Sequence, residues 1–307
     1  MNNQAKTAPY VAVIGAANMD LMGKVTGQAV DGDSNPGEVI VSAGGVARNI
    51  AENLAHLGTC CELITAIADD VWGAQLTEHC ESVSVGMSHC IIAEAQRSSS
   101  YLSMHDNQGE LITAINDMSV LNRINEAALA QRIDVLSQAA CWVIDANLNE
   151  DALAYLFSQA GNIPIWVDSV STIKAARLIP YLSAIHCLTP NREEAAVLTG
   201  DYANSSVSAP KLAQKLHDKG VDKVMITLGE KGAYTSDGQN TAWVKAQSSQ
   251  VKNVTGCGDA AIAALVHGSV IGVDWQASCE LAMSAAALTA NSPQTNTPLL
   301  STLGTFT

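Results

Sequence analysis

A short stretch near the end of the chain combines residue types that could hold an anion and move a proton. It runs Asn253-Val-Thr-Gly-Cys-Gly-Asp259 and leads directly into an apolar segment with the composition of a helix. A glycine-containing turn at a helix N-terminus presents free backbone N–H groups, and the helix dipole adds partial positive charge, so Gly256, Cys257 and Gly258 could bind a phosphoryl group. Asp259 would repel phosphate, yet its carboxylate could take a proton from a hydroxyl that attacks the phosphorus. An aspartate is also favoured in the first turn of any helix, and the spacing alone leaves both interpretations open.

Several other catalytic motifs can be excluded from the sequence. It contains no G-x-x-x-x-G-K-[ST] loop, no H-E-x-x-H and no G-x-S-x-G, which argues against P-loop enzymes and the corresponding hydrolases. Gly15 does not begin a complete G-x-G-x-x-G, so a dinucleotide-binding fold has little support. None of the eight cysteines forms a C-x-x-C pair, so we expect reduced, mostly buried thiols rather than a zinc site.

The charge of the chain limits its partners. Lys and Arg together number 16 and Asp and Glu 30, which gives a net charge of −14. Without clustered cations, neither a nucleic acid nor an anionic membrane surface is an expected partner. The longest weakly polar stretch, 260–273, is too short and too interrupted to cross a bilayer, and residues 1–10 lack the apolar core of a signal peptide. These features predict a cytoplasmic protein.

The elements that would position the glycine-rich stretch alternate between strands and helices. Buried, strand-like runs are predicted at 10–14, 61–67, 141–144, 165–167, 185–188 and 223–227. Helical periodicity is predicted at 46–57, 71–82, 126–138, 150–160, 192–199, 209–219, 258–271 and 275–290. This alternation favours an α/β fold with a doubly wound, mostly parallel sheet flanked by helices.

Two segments do not fit this alternation. Residues 18–43 and 88–116 have the pattern of half-buried strands and turns, including a hairpin around residues 106–109. We expect them to form a small β-sheet lid inserted in the α/β core. A further hairpin is predicted around Asp237-Gly238. The segment 292–307 is rich in Ser, Thr, Pro and Asn, and it is expected to be a loose tail of a single domain over 1–307.

Five elements, taken in order, resemble the ribokinase-like (PfkB) carbohydrate kinases. They are Asn18-Met-Asp20, Gly44-Gly-Val-Ala-Arg-Asn49, Thr189-Pro-Asn-Arg-Glu-Glu194, Thr227-Leu-Gly-Glu-Lys-Gly232 and the stretch from Asn253 to Asp259. Each element is short, but the ordered set covers residues 10 to about 290. The resemblance implies a ribokinase-like fold and an enzyme that transfers the γ-phosphoryl group of ATP to an alcohol.

The resemblance also implies catalytic and nucleotide-binding roles. Asp259 would accept the proton of a ribose 5′-hydroxyl, while the N–H groups of residues 256–258 stabilise the transferring phosphoryl group. Glu194, with Asn191, would organise Mg²⁺ through water. The ATP site would be lined by Thr227, Gly229 and Gly232.

On the acceptor side, the resemblance implies that Asp20 and Asn49 hold the ribose 2′- and 3′-hydroxyls, because a carboxylate accepts and an amide both donates and accepts. Gly45 would let the backbone lie close to the sugar, and Asn18 would either bind the sugar or only shape its turn. Candidates to recognise the base or close over the sugar, each of which could equally be a plain turn or strand residue, are Ser34, Asn35, Ser100 and Asn116.

Three further residues are candidates with an open alternative. Asp145 and Asp168 end core strands at the edge expected to face the site, where either could bind substrate or only cap the next helix. Lys174 could reach the phosphate or the base, or lie on the surface.

The sequence departs from the family pattern at two positions. Asn253 stands where the family has aspartate, at a position that, with Thr255, would help hold a monovalent cation such as K⁺, so potassium dependence is in doubt. Cys257 stands where the family usually has alanine. A thiol at a helix N-terminus can have a lowered pKa, so we expect Cys257 to react with alkylating agents.

Within the family, the predicted lid segments resemble those of the bacterial members that phosphorylate pseudouridine. The supporting segments are 33–37, 99–103 and 114–118 in or beside the lid, together with 44–55 and 253–256 outside it. Other acceptors remain alternatives, namely ribose, uridine or adenosine, as does a regulator that binds a sugar or nucleotide without catalysis. The resemblance also implies a homodimer formed through the lid.

Overall fold

A central sheet carries most of the strands, and a smaller sheet stands apart from it. The computed structural model describes residues 9–202, 206–247 and 250–304. The strands are β1 (Val11–Ile14), β2 (Asn18–Val25), β3 (Gly37–Gly44), β4 (Cys61–Ile64), β5 (Ala66–Ala68), β6 (Ile91–Ala93), β7 (Ser100–His105), β8 (Leu111–Asp117), β9 (Cys141–Asp145), β10 (Ile165–Asp168), β11 (Cys187–Leu188), β12 (Lys223–Thr227), β13 (Ala233–Ser236) and β14 (Thr241–Val244). The helices are α1 (Val46–His56), α2 (Val71–Ser82), α3 (Glu126–Ala130), α4 (Ile133–Gln138), α5 (Glu150–Gln159), α6 (Thr172–Ala175), α7 (Arg192–Thr199), α8 (Ala209–Asp218), α9 (Cys257–Val270) and α10 (Trp275–Ala290).

The central sheet has eight strands in the order β14-β13-β12-β11-β10-β9-β1-β4. The strands from β4 to β12 pair in parallel, and β13 and β14 add an antiparallel hairpin at one edge. Alternate residues of β1 enter different apolar clusters, since Val11 and Val13 pack with α1, α9 and α10, and Ala12 and Ile14 pack with α5, α7 and α8. Helices therefore cover both faces, and the predicted doubly wound, mostly parallel α/β fold is confirmed.

A separate four-stranded sheet has the order β3-β2-β7-β8. Its outer pairs β2–β3 and β7–β8 are antiparallel hairpins, and β2 pairs in parallel with β7 at the centre. Below, this four-stranded sheet is called the lid sheet. Its second half begins at Ser100 rather than at 88, because Ile91–Ala93 pairs with β5 in another small sheet.

Two predicted elements are each divided in the structure. The strand expected over 61–67 breaks at Thr65, so that β4 joins the central sheet and β5 pairs with β6. The helix expected over 126–138 breaks between α3 and α4. There the Arg132 side chain donates to the carbonyl oxygens of His89 and Cys90, which fixes the chain at this point to a distant loop.

The segment after α10 differs from the expected loose tail. Asn296, Thr297 and Leu300 are buried, and the Asn296 amide donates to the backbone oxygen of Asn49 in α1 at 2.9 Å. The segment 292–304 therefore packs against α1 and is not a loose tail. Residues 305–307 lie outside the described residues.

Two further observations concern the molecule as a whole. All eight cysteines are free thiols, and five of them are buried. In the described ranges, no helix has the length and apolar character needed to cross a membrane.

Candidate active site

The carboxyl ends of the central parallel strands bring the predicted residues to one edge of the sheet. Asp145 ends β9, Asp168 ends β10, Asn191 follows β11 and Thr227 ends β12. The N-terminus of α9 carries Asp259 into contact with Asn49 of α1, because the Asn49 amide donates to a carboxylate oxygen of Asp259 at 2.6 Å. This edge of an open α/β sheet is where such folds bind ligands.

The start of α9 has the geometry of an anion site. The helix begins after Gly256, whose φ is +83°, and a Cβ atom there would lie 2.3 Å from the backbone oxygen of Thr295. The first turn leaves N–H groups without intrahelical acceptors. Gly258 is exposed, and a Cβ built on it would meet no atom within 4 Å. A charged group could therefore approach these N–H groups directly beside Asp259.

Asp259 is only 8% exposed. Burial raises its pKa from the ordinary 3.8 to about 7, with a further rise from the charge of Asp145, while the Asn49 hydrogen bond and the charge of Arg48 lower it. A carboxyl group with a pKa near neutrality can accept a proton from a hydroxyl and release it again. The geometry thus suits a general base.

Glu194 and Asp168 form an acidic pair close to Asp259. Glu194 is 7% exposed and accepts hydrogen bonds from the Ser169 hydroxyl at 2.7 Å and from the Asn191 amide at 2.8 Å. Asn191 also caps α7, accepting from the N–H of Glu194 at 2.9 Å. Burial, and then the negative charges of Asp259 and Glu194, raise the pKa of Asp168 well above its usual value. The charged groups that act most strongly on Asp168 are all negative, so a cation bound nearby would stabilise the ionised pair.

The sugar-binding candidates lie where the lid sheet meets the core. The buried Asn18 donates to Asp20 at 2.6 Å, and burial raises the pKa of Asp20, although this hydrogen bond and the Arg48 charge lower it. Gly44 packs directly against Asp20, with 2.2 Å between a built Cβ and a carboxylate oxygen. Gly45 has a φ of +97°, and a Cβ built on it would lie 2.5 Å from the backbone oxygen of Ala16, so the two chain segments pack closely here.

The strand register decides which lid residues share a face with Asp20. Asp20 lies opposite Ser42 on one side and Tyr101 on the other, and Tyr101 lies opposite Asn116. Directly opposite residues point to the same face of a sheet. Asn116 therefore shares the Asp20 face, whereas Ser100, which pairs with Met19, points to the opposite one.

Ser34 and Asn35 are not brought to this site within one chain. They lie in the loop joining β2 to β3, and β2 runs seven residue steps from Asn18 to that loop, about 23 Å at 3.3 Å per residue. The Asn35 side chain instead holds its own loop, through the backbone N–H and oxygen of Val30 at 2.7 and 3.0 Å. Ser34 is exposed at the loop tip.

Asp145 has a positioning task. One of its oxygens accepts from the backbone N–H groups of Ala16 at 2.9 Å and Ala47 at 3.0 Å, and the other from Asn147 at 2.8 Å. It thereby joins the end of β1 to the start of α1, and both of its oxygens already accept hydrogen bonds. Lys174 donates to the Asn147 side chain, and its burial lowers its pKa, so it too is held by this loop.

The predicted nucleotide-binding residues lie together at the end of β12. Thr227 donates its N–H to the oxygen of Pro190 at 3.0 Å, which joins it to the loop before α7. Gly229 and Gly232 turn the chain back into β13 with φ values of +59° and +90°. A Cβ on Gly232 would lie 2.0 Å from the backbone oxygen of Val244, so only glycine fits this turn.

The surroundings of Cys257 do not lower the pKa of its thiol. Burial, with the negative charge of Asp259, raises the pKa of the Cys257 thiol to about 11. The pKa is thus raised, and the prediction of a lowered pKa is wrong. Asn253 accepts from the N–H of Thr255 at 3.0 Å, and these two residues remain the predicted positions for a monovalent cation.

Sequence reasoning missed four residues at the site, namely Arg48, Tyr101, Ser169 and Asn296. Arg48 lies inside the motif from Gly44 to Asn49. Its position on the buried face of the predicted helix could have identified it as a buried arginine. The other three contact the site only through long-range pairing, which leaves no local signal.

Comparisons with known proteins bear on the family and the fold of the chain. The family description "pfkB family carbohydrate kinase" matches residues 8–302. A pseudouridine kinase from Escherichia coli is 37% identical over 95% of this chain and 94% of its own length. Among solved structures, a carbohydrate kinase from Agrobacterium tumefaciens has 27% identity and a TM-score of 0.83, covering 94% of this chain and 92% of that one. A ribokinase from Arabidopsis thaliana, solved with ribose and ATP, has 19% identity and a TM-score of 0.82 over 98% and 100% of the two chains, which bears on the fold alone.

The match to the family covers almost the whole chain, and the structure supplies a buried carboxylate at a helix N-terminus for the chemistry of its members. The protein belongs to the pfkB family of carbohydrate kinases and is a phosphotransferase with an alcohol group as acceptor.

Proposed function

We propose that this protein transfers the γ-phosphoryl group of ATP to the 5′-hydroxyl of the nucleoside pseudouridine. The single observation that carries the proposal is the buried carboxylate of Asp259, with a pKa of about 7, beside the open N-terminus of α9 and in contact with Asn49 of α1. The 37% identity to a pseudouridine kinase over nearly the full chain supports this acceptor.

The reaction is a direct in-line transfer. Asp259 takes the proton of the 5′-hydroxyl as its oxygen attacks the γ-phosphorus, and the bond to the ADP oxygen breaks. The N–H groups at residues 256–258 hold the equatorial phosphoryl oxygens, and their fixed orientation stabilises the charge that moves onto them. Closure of the lid sheet over the acceptor would exclude water and so suppress hydrolysis of ATP.

Mg²⁺ fits the donor set near Glu194. Within the described ranges no group of three or more acidic, His or Cys side chains could enclose a metal, but Mg²⁺ usually keeps several waters and needs only one or two carboxylates beside the substrate phosphates. The oxygens of Glu194 already accept from Asn191 and Ser169, so Glu194 would hold the ion through water. When bound, Mg²⁺ neutralises charge on the β- and γ-phosphates.

The lid sheet provides the groups that we expect to recognise the base. The Tyr101 hydroxyl and the Asn116 amide lie on the Asp20 face, and neither makes a hydrogen bond within the described part of the chain. A planar phenol ring can pack on a base, and an amide can both donate and accept along its edge. Pseudouridine has a free N1–H that uridine lacks, and a site that accepts from it would reject uridine.

A coupled ADP-release screen of pseudouridine, uridine, adenosine and ribose tests the proposal. We expect pseudouridine to have the highest kcat/KM of the four acceptors. Asn116→Ala should reduce the preference for pseudouridine over uridine without abolishing turnover of ribose. A higher kcat/KM on another acceptor would replace pseudouridine by that compound. Tight ligand binding with no ADP release on any acceptor would indicate a regulator instead.

We further propose that a second copy of this chain covers the outer face of the lid sheet. The face opposite Asp20 carries a row of exposed apolar side chains in register, which includes Val41, Leu102 and Ile115. An exposed apolar face of this kind favours burial against another copy. Light scattering after size-exclusion chromatography should show a dimer that Leu102→Glu dissociates, and a monomeric wild type would refute it.

A further inference from the structure

A guanidinium group lies buried behind the candidate base. Arg48, in α1, is 1% exposed. Its Nε donates to the backbone oxygen of Gly44 at 3.0 Å, and one terminal nitrogen donates to Glu52. The other terminal nitrogen donates to the side-chain oxygens of both Asn49 and Asn296, the latter at 2.9 Å. Arg48 thus contacts the last residue of the lid strand β3, the asparagine that bonds Asp259, and the segment after α10.

We propose that Arg48 is a positioning residue that locks the Asn49 amide against Asp259 and keeps that carboxylate in the ionised form that accepts a proton. This inference rests on the proposed function and extends it to a residue that touches neither substrate nor nucleotide.

The orientation of the Asn49 amide follows from the chemistry of arginine. A guanidinium group has only donors, so the oxygen of the amide must face Arg48. The nitrogen of the same amide then faces Asp259, to which it donates at 2.6 Å. Asn296 adds a second constraint, because its amide donates to the Asn49 backbone at 2.9 Å while its oxygen accepts from Arg48. Without Arg48, the amide of Asn49 could turn over and present its oxygen to the carboxylate.

The charge of Arg48 acts on the same carboxylate. The groups that face Asp259 from the surrounding elements are Asp145 on β9, Asp168 on β10 and the Cys257 thiol on its own helix, and none of them is a cation. Arg48 on α1 lowers the pKa of Asp259 and also that of Asp20 on the lid sheet. It therefore supports both carboxylates of the proposed acceptor site.

Arg48 has its own counter-ion, Glu52, one turn further along α1. Glu52 is 6% exposed. Burial raises its pKa, but hydrogen bonds from His56 and His79 and the charge of Arg48 lower it by more, so the pKa lies below the usual range. Removing one member of a buried ion pair leaves an unpaired charge, whereas removing both together is often tolerated. This difference separates a role in folding from a role at the site.

The test compares Arg48→Met/Glu52→Gln, which removes the pair, with the control Glu52→Gln alone, which keeps the Arg48 charge beside Asn49 but removes its counter-ion. The Tm of both variants is measured, so that a loss of folding is not taken for an effect on Asp259. Protein labelled with ¹³C at the aspartate side chains is titrated by NMR, and Asp259→Asn identifies the Asp259 signal. We expect the titration midpoint of Asp259 to rise by about one pH unit in the double variant and to stay near the wild-type value in the control. The acidic limb of the kcat/KM profile should move by the same amount.

A folded double variant with an unchanged Asp259 midpoint would overturn the inference. If the double variant does not fold, Arg48→Lys decides the question, since lysine keeps the charge but lacks the fork that holds several oxygens at once. We expect Arg48→Lys to raise the KM of the acceptor and to give an Asp259 titration midpoint between those of the wild type and the double variant. Wild-type values of both quantities would refute a positioning role. The NMR titration needs no substrate, so it remains decisive even if the acceptor screen contradicts the proposed function.

Discussion

Asp259→Asn should remove turnover and, above neutral pH, make the protein more stable. The wild-type carboxyl is 8% exposed, and burial raises its pKa from 3.8 to about 7. At about 1.36 kcal/mol per pH unit, this rise corresponds to a destabilisation of the native state by at most about 4 kcal/mol once the group is ionised. Asparagine has the same shape and no charge, so the variant avoids that cost while it loses the base.

The sign of the pH dependence follows from linkage. Because the folded carboxyl binds its proton more tightly than the unfolded one, its contribution to stability is fully present below about pH 4. That contribution is lost as the pH rises through about 7, the pKa in the folded state. The stability advantage of Asp259→Asn should therefore grow between about pH 4 and 7 and be constant above.

Urea unfolding followed by circular dichroism from pH 5 to 9 measures this advantage, and ADP release measures the activity of the same preparations. Turnover should fall at least about 100-fold, since a general base contributes that much or more. An advantage of the variant that is absent, or that does not change with pH, would show that the carboxyl is not held as described. Turnover near the wild-type value would remove Asp259 from the mechanism.

Two further predictions concern the start of α9. Iodoacetamide should label Cys257 slowly at pH 7.5, because its thiol pKa is raised to about 11, and Cys257→Ala should keep most of the activity. Mass spectrometry measures the labelling. Rapid labelling of Cys257 with loss of activity would contradict both expectations. Gly256→Ala should lower Tm more than Gly258→Ala, because a Cβ at 256 would lie 2.3 Å from the Thr295 oxygen and one at 258 would meet nothing within 4 Å. Equal Tm values of the two variants in a thermal melt would show that Thr295 can move away from the added methyl group at little cost.

The main elements of the fold could be predicted because they are encoded locally. The bounds of α2, α7 and α10 in the structure are those predicted from helical periodicity. Each begins after a residue whose side chain accepts from the first turn, namely Asp70, Asn191 and Asp274. Such signals lie within a few positions of one another, so one sequence is enough to find them.

Long-range pairing could not be predicted in the same way. Ser100 was a candidate and its neighbour Tyr101 was not, yet the register places Tyr101 on the Asp20 face. A shift of one residue reverses every side chain of a strand, and the partner strand alone fixes that choice. The bond between Arg48 and Asn296 joins residues 248 positions apart, and neither has a neighbour in sequence that announces it.

The carboxylates at the sheet edge show why residue type alone does not identify the base. Asp145 bonds three backbone N–H groups with its two oxygens and is committed to the joint between β1 and α1. Glu194 is occupied by Asn191 and Ser169. Asp259 accepts from Asn49 on one oxygen, and no hydrogen bond from the described residues reaches the other. Asp168 also has a raised pKa and, among the described residues, accepts on one oxygen only, from the N–H of Val170. Asp259 differs from it by lying in the first turn of α9, where its free oxygen stands beside the N–H groups that could hold a phosphoryl group.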